Sequence, residues 1–600
     1  MSYRAPVKDM LFVMNELADL AGVQALPGCE DASVDTAEAI LEENAKFCAE
    51  VVAPLNASSD QQPSFWHDGD VTTSAGFKQA FQAFAAAGWQ GVQHPTAFGG
   101  QGLPKLLGTP CIEMLNAASI SFALVALLSD GAIEALLTAG SDAQKATYLE
   151  PLVSGTWTGT MNLTEPQAGS DLAAVRTRAV PQGDGSYKVF GTKIYITYGE
   201  HDLADNIIHL VLARTPDAPA GVKGISLFIV PKFLVNPDGT PGARNDVHCV
   251  SIEHKLGIKA SPTAVLQFGD HGGAIGTLVG QENRGLEYMF IMMNAARFGV
   301  GLQGIGLAER AYQKAVQFAR ERIQSRDVAG SSGPVAIIAH PDVRRMLMAM
   351  RSQTEAARAL AYVGAAISDM AHHHPDPATR AERLAVYEYL VPVIKGWATE
   401  MAQDVARDGV QVHGGMGFIE ETGAAQHYRD AKILTIYEGT TAIQANDLVG
   451  RKTVRDAGAV AKSILAEVRA TEVALAALPT GAQGGHLHAI SARLGAARED
   501  LDAVIDYVVA NSKSDIKAVF AGSVPYLRLA GIVLGGWQMA RAALVSHARL
   551  TAGQGDASFY DAKIGTARFF ADHFLSQTSG LRGAIVEGSA GVLALRDDQF

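Results

Sequence analysis

The sequence predicts an α+β protein in which helical and strand-rich regions follow one another along the chain. Up to about residue 160, apolar residues recur at helical spacing, as Leu41, Ala45, Cys48 and Val52 do. Between about 161 and 280, short β-rich runs alternate with turns that contain Gly, Pro and Asp. From about 285 onwards, long stretches rich in Ala, Met and Leu resume the helical pattern. Helices and strands are therefore expected in separate layers.

Four regions are expected in chain order. Residues 1–160 form a helical domain, which an extra N-terminal helix opens over residues 1–32, where Met10, Val13, Met14 and Leu17 lie at helical spacing. A central β-domain follows over 161–284, with strands predicted at 187–190, 207–212, 225–230 and 265–268. Residues 285–450 form a helical bundle. Residues 451–600 form an additional helical domain, with helical patterns at 460–477, 488–511 and 526–550.

Composition limits the class of protein. An apolar content of 48% and a charged content of 18% over 600 residues describe a packed globular chain. The net charge of −13 offers no basic surface to nucleic acid, and residues 451–600 carry 16 Lys and Arg against 14 Asp and Glu. The four cysteines lie far apart without a CxxC pair, which is typical of free thiols in a reducing compartment.

No segment is expected to enter a membrane. The N-terminal residues lack signal-peptide character, because Asp9, Glu16 and Asp19 interrupt their apolar positions. The longest apolar runs, near 120–128 and 532–545, are too short or too interrupted to span a bilayer, which takes about 20 residues. We therefore expect a cytoplasmic protein.

A carboxylate with catalytic potential lies in the segment Tyr-Glu-Gly-Thr-Thr at 437–441, downstream of Gln-Val-His-Gly-Gly-Met-Gly-Phe at 411–418. Glu438 suits the removal of a weakly acidic α-proton from a thioester, provided that burial raises its pKa above the usual value of about 4.3. Considered alone, a glutamate before Gly-Thr-Thr is more often a turn or helix-end residue. Two further segments favour the catalytic reading.

The first of these segments reads Met-Asn-Leu-Thr-Glu-Pro-Gln-Ala-Gly-Ser-Asp over 161–171. Gly169 permits close approach of a ligand, and Thr164 and Ser170 can hydrogen-bond ring heteroatoms. The second runs over 191–199 and contains Tyr195 and Thr197. Alternatively, the first segment is a loop that closes a β-hairpin and Tyr195 is only a strand aromatic.

Together these segments resemble the acyl-CoA dehydrogenases, and the resemblance covers about residues 33–450. It implies the fold of that family, which consists of a helical domain, a central β-domain and a four-helix bundle, here followed by an additional C-terminal helical domain. It also implies FAD as cofactor. In this reading Glu438 takes the α-proton, the β-hydrogen leaves as hydride to the flavin, and the Glu438 backbone N–H helps to polarise the thioester oxygen.

The resemblance also assigns binding residues. FAD is expected to contact Met161, Leu163, Thr164, Gly169, Ser170, Tyr195, Thr197 and Thr440, and to reach Arg322, Gln411, Gly414 and Gly415 across a subunit interface. The substrate is expected to contact Asn294, Arg297 and Gly439. Tyr195 stands where the family usually has Trp, Arg297 is alternatively a surface residue, and the Gly-Gly pair is also a helix break. No metal is expected, since His413 and the run His372 to His374 lack a second ligand set at metal-site spacing.

The extra C-terminal region further resembles a large bacterial subgroup of the family, which includes enzymes that act on 3-methylmercaptopropionyl-CoA in dimethylsulfoniopropionate breakdown. That resemblance implies a short or medium acyl-CoA substrate, an electron-transfer flavoprotein as acceptor and a homodimer. The alternatives are a general fatty acyl-CoA dehydrogenase, an acyl-CoA oxidase and a nucleic-acid-binding flavoprotein of the same fold. The near-neutral charge of residues 451–600 argues against the last.

Overall fold

A computed structural model describes residues 3–479, 481 and 483–600. Its first part is helical and carries one small hairpin. The helices are α1 (Val7–Phe12), α2 (Leu20–Gln24), α3 (Val34–Phe47), α4 (Leu55–Gln61), α5 (Phe77–Ala86), α6 (Lys105–Ala118), α7 (Ile120–Ala139) and α8 (Asp142–Val153). Strands β1 (Phe65–His67) and β2 (Asp70–Thr72) pair antiparallel.

The N-terminal segment is more broken than the single helix that its spacing predicts. A π-helical turn, Val13–Leu17, follows α1. Asp19 then adopts the left-handed conformation with φ 53°, and its side chain accepts a hydrogen bond from Gly22 N at 3.1 Å, which starts α2. The apolar face is nevertheless buried, because Met10 and Met14 are both 0% exposed.

The central region is a sheet. Its strands are β3 (Trp157–Asn162), β4 (Arg178–Pro181), β5 (Ser186–Thr197), β6 (Asn206–Ala213), β7 (Ser226–Pro231), β10 (Val247–Ile252), β11 (Thr263–Phe268) and β12 (Ala274–Val279), with a separate pair β8 (Phe233–Val235) and β9 (Pro241–Arg244). The order is β10-β11-β5-β12-β7-β6-β3, and β4 pairs with β5. Only β3 and β6 run parallel among the described strands. The sheet begins at Trp157, before the domain boundary predicted at 161.

Strands β3, β6 and β7 are buried along their whole length. Helices α7 and α8 pack on β3, and α9 packs on β7. Strands β6 and β7 are covered on both faces and carry nearly continuous apolar runs, whereas β3 buries the polar side chains of Thr158, Thr160 and Asn162.

The bundle consists of α9 (Gly285–Glu321), α10 (Pro341–His373), α11 (Pro377–His413) and α12 (Ala424–Leu434), followed by α13 (Thr441–Val449). Its helix starts follow local rules. Pro341 occupies the first turn of α10, and the Asp376 side chain accepts hydrogen bonds from Ala378 N and Thr379 N before α11. Helix α9 packs against α10, α11 and α12, and also against α6 and α7 of the N-terminal region.

The C-terminal extension, residues 451–600, is helical, as predicted. Its helices are α14 (Ala459–Ala476), α15 (Gly484–Asn511), α16 (Ile516–Ala521), α17 (Ser523–Thr551), α18 (Ala557–His573), α19 (Thr578–Val586) and α20 (Ser589–Val592). Helix α17 packs on α10, α11 and α13. Close approach requires glycine here, since a Cβ at Gly531 would lie 2.1 Å from Trp397 Cγ of α11. The extension is therefore integral to the bundle.

Two helices, α7 and α17, are long and apolar enough to cross a membrane by length and composition. The sequence expectation that their apolar runs are too short or too interrupted is wrong by this criterion, because the helices of 20 and 29 residues each contain an 18-residue window that is apolar enough. In both helices 83% of the apolar window is buried inside the fold.

An ion cluster ties the two ends of the chain to the bundle. We call the group formed by Asp9, Glu113, Glu309, Glu355, Arg358 and Lys563 the Arg358 cluster. Arg358 is 1% exposed and donates to Glu113 at 2.7 Å, to Asp9 at 2.8 Å and to Glu309 at 2.8 Å. Lys563 of α18 donates to Asp9 and, at 2.9 Å, to Glu355. The cluster therefore joins α1, α6, α9, α10 and α18.

Candidate active site

Glu438 lies in a tight loop between α12 and α13. Glu438 has φ 54° and Gly439 φ 88°, and the left-handed conformation is unfavourable for glutamate by about 1 to 2 kcal/mol. The loop is held from two sides. Gln444 Nε2 donates to the carbonyls of Glu438 and Gly439, both at 3.2 Å, and Lys395 Nζ donates to the carbonyls of Leu434 and Gly439 at 2.9 and 2.7 Å. Strain supported by this many anchors is typical of a functional position.

Glu438 as a whole residue is half-buried, so part of it remains accessible to solvent. Burial raises its pKa, and the positive charges of Lys395 and Arg297 oppose that rise. Within residues 3–479, 481 and 483–600, no hydrogen bond to the carboxylate is present, and the Glu438 backbone N–H makes none either. The group is thus free to accept a proton, and its N–H is free to donate to a ligand.

The guanidinium group of Arg297, on α9, is the second positive charge that acts on Glu438. It is 4% exposed, and its Nη1 lies 3.5 Å from Asp447 Oδ2 of α13 and 3.5 Å from Asn294 Oδ1. Its Nε is buried without a hydrogen-bond partner in the part of the chain that the structure describes. The alternative of a surface arginine is therefore wrong, whereas Asn294 is exposed. An unsatisfied buried donor beside Glu438 is consistent with a polar ligand at this position.

Two of the segments predicted to bind FAD meet beside β5, an interior strand of the sheet. Ile194 N donates to Thr164 O at 2.9 Å, which places the loop after β3 beside β5. Met161 is buried, Leu163, Thr164, Thr197 and Thr440 are half-buried, and Gly169 and Ser170 are exposed. Tyr195 is 60% exposed with φ 59°, so it stands out from β5 as an uncovered ring.

A buried ion pair between Lys193 and Glu165 holds the loop after β3 against β5. Lys193 Nζ donates to Glu165 Oε1 at 2.8 Å and to Leu163 O at 3.0 Å. Glu165 also accepts from Thr177 Oγ1 at 2.6 Å and from Arg176 N at 2.8 Å. Burial alone would raise the pKa of Glu165, but the Lys193 charge and these donors lower it to about 2. The loop is therefore fixed before any ligand binds.

These surfaces fit a flavin dinucleotide. A Cβ added at Gly169 would meet nothing within 4 Å, so the loop after Thr164 faces open space. Thr164 and Thr197 carry half-buried hydroxyl groups at the sheet, and Thr440 carries one at the start of α13. Such donors and acceptors suit a heteroatom-rich ring and its ribityl chain.

The other predicted FAD residues lie at a different end of the bundle. Arg322 follows α9, and Gln411, Gly414 and Gly415 lie at the end of α11 and just beyond it; all four are exposed. The two helix ends are joined by a stack of Phe318 on His413, with ring centroids 4.4 Å apart. Among the described residues, no hydrogen bond or ion pair links this group to the Glu438 loop. Its role across a subunit interface stays a prediction.

Sequence reasoning overlooked several residues that shape the site. Lys395, Asp447 and the Glu165–Lys193 pair were not assigned roles. Lys395 was detectable, because it is the one charge in the otherwise apolar stretch 390–397 of a helical pattern. Its contacts were not detectable, since its partners Leu434 and Gly439 are 39 and 44 positions away in the chain.

The histidines considered as metal ligands contact backbone atoms instead. His413 lies 2.7 Å from Gly409 O through Nδ1, and His372 Nδ1 lies 2.7 Å from Ser368 O. A different trio, Asp246, His248 and His271, has ligand atoms within 4.8 Å of one another on the surface of the β-domain. The Asp246 Oδ2 atom already accepts the backbone N–H groups of His271 and Gly273.

Family models for four consecutive domains match the chain. They are the N-terminal domain of acyl-CoA dehydrogenase at residues 34–156, the middle domain at 160–271 and the C-terminal domain at 283–453. A fourth, described as acetyl-CoA dehydrogenase C-terminal like, matches residues 464–596. The extension thus has counterparts in other proteins.

Full-length relatives agree with these matches. The chain is 51% identical to 3-methylmercaptopropionyl-CoA dehydrogenase of Ruegeria pomeroyi, over 99% of each chain. It is 35% identical to a butyryl-CoA dehydrogenase of Syntrophomonas wolfei, over 100% of this chain and 99% of that one. A crystal structure of an acyl-CoA dehydrogenase from Bacillus anthracis in complex with FAD has the same fold, with a TM-score of 0.73 at 20% identity over 96% of this chain and 91% of that one. The chain therefore belongs to the acyl-CoA dehydrogenase family and is an enzyme that uses FAD to dehydrogenate acyl-CoA thioesters.

Proposed function

We propose that Glu438 is the base that removes the α-proton of the acyl thioester. The observation that carries this proposal is its combination of partial burial, raised pKa and absence of a described hydrogen bond to its carboxylate. A carboxylate in a site with little water is a stronger base than one in bulk solvent. Bound FAD supplies the acceptor for the β-hydride.

The surrounding residues position the thioester for this proton transfer. The unused backbone N–H of Glu438 is available to the thioester oxygen, where negative charge develops as the α-proton leaves. Gly439, with φ 88°, lets the thioester approach the backbone. Arg297 adds a buried positive charge near the same point.

We propose 3-methylmercaptopropionyl-CoA as the substrate, and its conversion to methylthioacryloyl-CoA in dimethylsulfoniopropionate catabolism as the role. The support is the 51% identity, over nearly the full chain, to a relative with that name. A general short- or medium-chain acyl-CoA dehydrogenase is the second candidate, because the butyryl-CoA dehydrogenase matches over the full chain at 35% identity.

We further propose a homodimer formed at the bundle end that carries Arg322 and Gly414. Large apolar side chains are exposed there, with Phe418 87% exposed, Ile323 60% and Met416 49%. Apolar residues beside an arginine and an open Gly-Gly turn suit an interface that completes a diphosphate site. We propose an electron-transfer flavoprotein as acceptor, as in the family, and a cytoplasmic location, which the four free buried cysteines support.

Anaerobic reduction of the purified protein by acyl-CoAs tests the substrate. The panel contains 3-methylmercaptopropionyl-CoA, butyryl-CoA, octanoyl-CoA and, as matched control, pentanoyl-CoA, in which a methylene replaces the sulfur. We expect the highest kcat/KM for the thioether substrate. Faster reduction by pentanoyl- or butyryl-CoA would favour the general dehydrogenase instead.

The oxidation step tests the acceptor. After reduction, the protein is mixed either with air-saturated buffer or with an electron-transfer flavoprotein. We expect rapid reoxidation only with the flavoprotein. Rapid reoxidation by oxygen alone would identify an acyl-CoA oxidase.

A further inference from the structure

Lys395 is a buried ammonium group beside the Glu438 loop. It lies in the middle of α11 and is 0% exposed. Its Nζ donates to Leu434 O, at the end of α12, and to Gly439 O, directly after Glu438. Two of its three donors thus clamp the two ends of the loop that carries the base.

A neutral side chain could make the same two hydrogen bonds, so the charge requires its own explanation. Burying an ammonium is costly unless an anion faces it. No carboxylate forms an ion pair with Lys395 in the described residues. Burial lowers its pKa to about 8, and Glu438 is the anion that most opposes this, ahead of Glu400. Lys395 is therefore still mostly protonated at neutral pH.

The other charges near Glu438 are partly neutralised. Arg297, on α9, faces Asp447 of α13, and Asp447 also lies 3.5 Å from Arg451. Glu400, on the same helix as Lys395, accepts a hydrogen bond from Thr441 Oγ1 at 2.5 Å. Tyr437 donates to Gln303. Lys395 thus acts on Glu438 together with Arg297, and of these two cations it is Lys395 that forms no ion pair within the described residues.

We propose that Lys395 is a positioning residue for the dehydrogenation, whose two hydrogen bonds hold the Glu438 loop in place and whose charge favours the ionised form of Glu438, the form that accepts the α-proton. The proposal rests on Glu438 as the base. A hydrogen-bonding role alone would fix the loop without affecting the protonation of Glu438, so the two roles are separable by experiment.

Three substitutions separate charge from hydrogen bonding. Lys395→Gln keeps donors without charge, Lys395→Arg keeps both, and Lys395→Met removes both. The rate of flavin bleaching by a saturating acyl-CoA is measured anaerobically from pH 5 to 10, together with FAD content and melting temperature. Lys255→Met is the matched control, because the half-buried Lys255 also has a pKa lowered to about 8 and donates to Ser261 O at 2.7 Å, but its neighbouring charges are Asp430 and Glu253.

We expect the acid limb of the pH–rate profile, the range in which the bleaching rate rises as Glu438 loses its proton, to move to higher pH in the variants that lack the charge. Without the cation, the carboxylate gives up its proton only at higher pH, and a nearby opposite charge shifts a pKa by about 1 to 3 units. The Gln and Met variants should therefore bleach at least about tenfold more slowly at each pH on the acid limb, and recover at high pH. The Arg variant and the Lys255→Met control should keep the wild-type position of the limb.

Several outcomes would overturn the proposal. An unmoved acid limb in the Gln and Met variants would do so, and so would three variants that all fail to fold or to retain FAD, since Lys395 would then be purely structural. Glu438→Gln is measured in parallel. If Glu438→Gln stays active, the assignment of Glu438 as the base is wrong. If it is inactive and the acid limb of the Lys395 variants is unmoved, the assignment of the base stands and only the proposed role of Lys395 is wrong.

Discussion

Replacing Lys563 by methionine should loosen the whole C-terminal extension. Lys563 is 2% exposed, lies on α18, and binds Asp9 of α1 and Glu355 of α10. Methionine keeps the apolar stem but removes the ammonium. Asp9 and Glu355 would then remain buried with less compensating charge.

The magnitude follows from two observations. Removing one partner of a buried ion pair costs about 3 to 5 kcal/mol. Arg358 still contacts Asp9, and Arg351 still contacts Glu355, so we expect a loss at the lower end of this range, about 3 kcal/mol.

The effect should depend on pH. Burial raises the pKa of Asp9, but Lys563 and Arg358 lower it from 3.8 to about 2. This depressed pKa stabilises the fold above pH 3.8, and that stabilisation is lost as the pH falls through about 2. The difference between wild type and variant should therefore be full at pH 7 and shrink on acidification.

Urea unfolding followed by tryptophan fluorescence measures the effect, because Trp537 lies in α17 and donates to Thr471 within the extension. Lys462→Met is the matched control. Lys462 is 45% exposed and pairs with Asp506 at 2.6 Å on the surface of the extension, where removing a pair costs under about 1 kcal/mol. Equal unfolding midpoints for the two variants, or a difference that does not change with pH, would refute the reasoning.

Three further predictions concern the site and the interfaces. Glu438→Gln should retain FAD and fold but lose nearly all turnover; a variant that keeps a tenth of the wild-type rate with its best substrate would show that Glu438 is not the base. Arg322→Ala should weaken FAD retention by about ten- to a hundredfold, since a charge-assisted contact contributes about 1.5 to 3 kcal/mol, and unchanged retention on dilution and gel filtration would contradict this. Truncation after Arg451 should expose Trp397 and the face of α11 around it, and light scattering should reveal aggregates or tetramers; a soluble, active dimer with unchanged melting temperature would count against an integral extension.

The parts of the molecule that the sequence predicts are those with local signals. Helix and strand order is readable because apolar periodicity spans only a few turns or pleats. Glu438 and Thr164 are identified because each lies in a contiguous segment with a recognisable composition.

The parts that the sequence does not predict depend on distant pairs. Lys563 and Asp9 are 554 positions apart, so no window of sequence indicates that they meet. The same is true of Lys395, which is recognisable as an unusual lysine but whose partners become known only when α11 and α12 are packed. Charged groups inside a core acquire a role only through such long-range neighbours.

The burial of α7 and α17 also has a consequence during synthesis of the chain. Helix α17 packs on α10, α11 and α13, which are made before it, and on α18 and α19, which are made after it, so it is only partly covered when it appears. Helix α7 is covered by β3 and α9, which are made after it. A ribosome that stalls before α9 would therefore release a fragment in which the 20-residue apolar helix α7 lacks the part of its cover that α9 supplies. Both apolar helices therefore complete their burial only after later segments of the chain have been made.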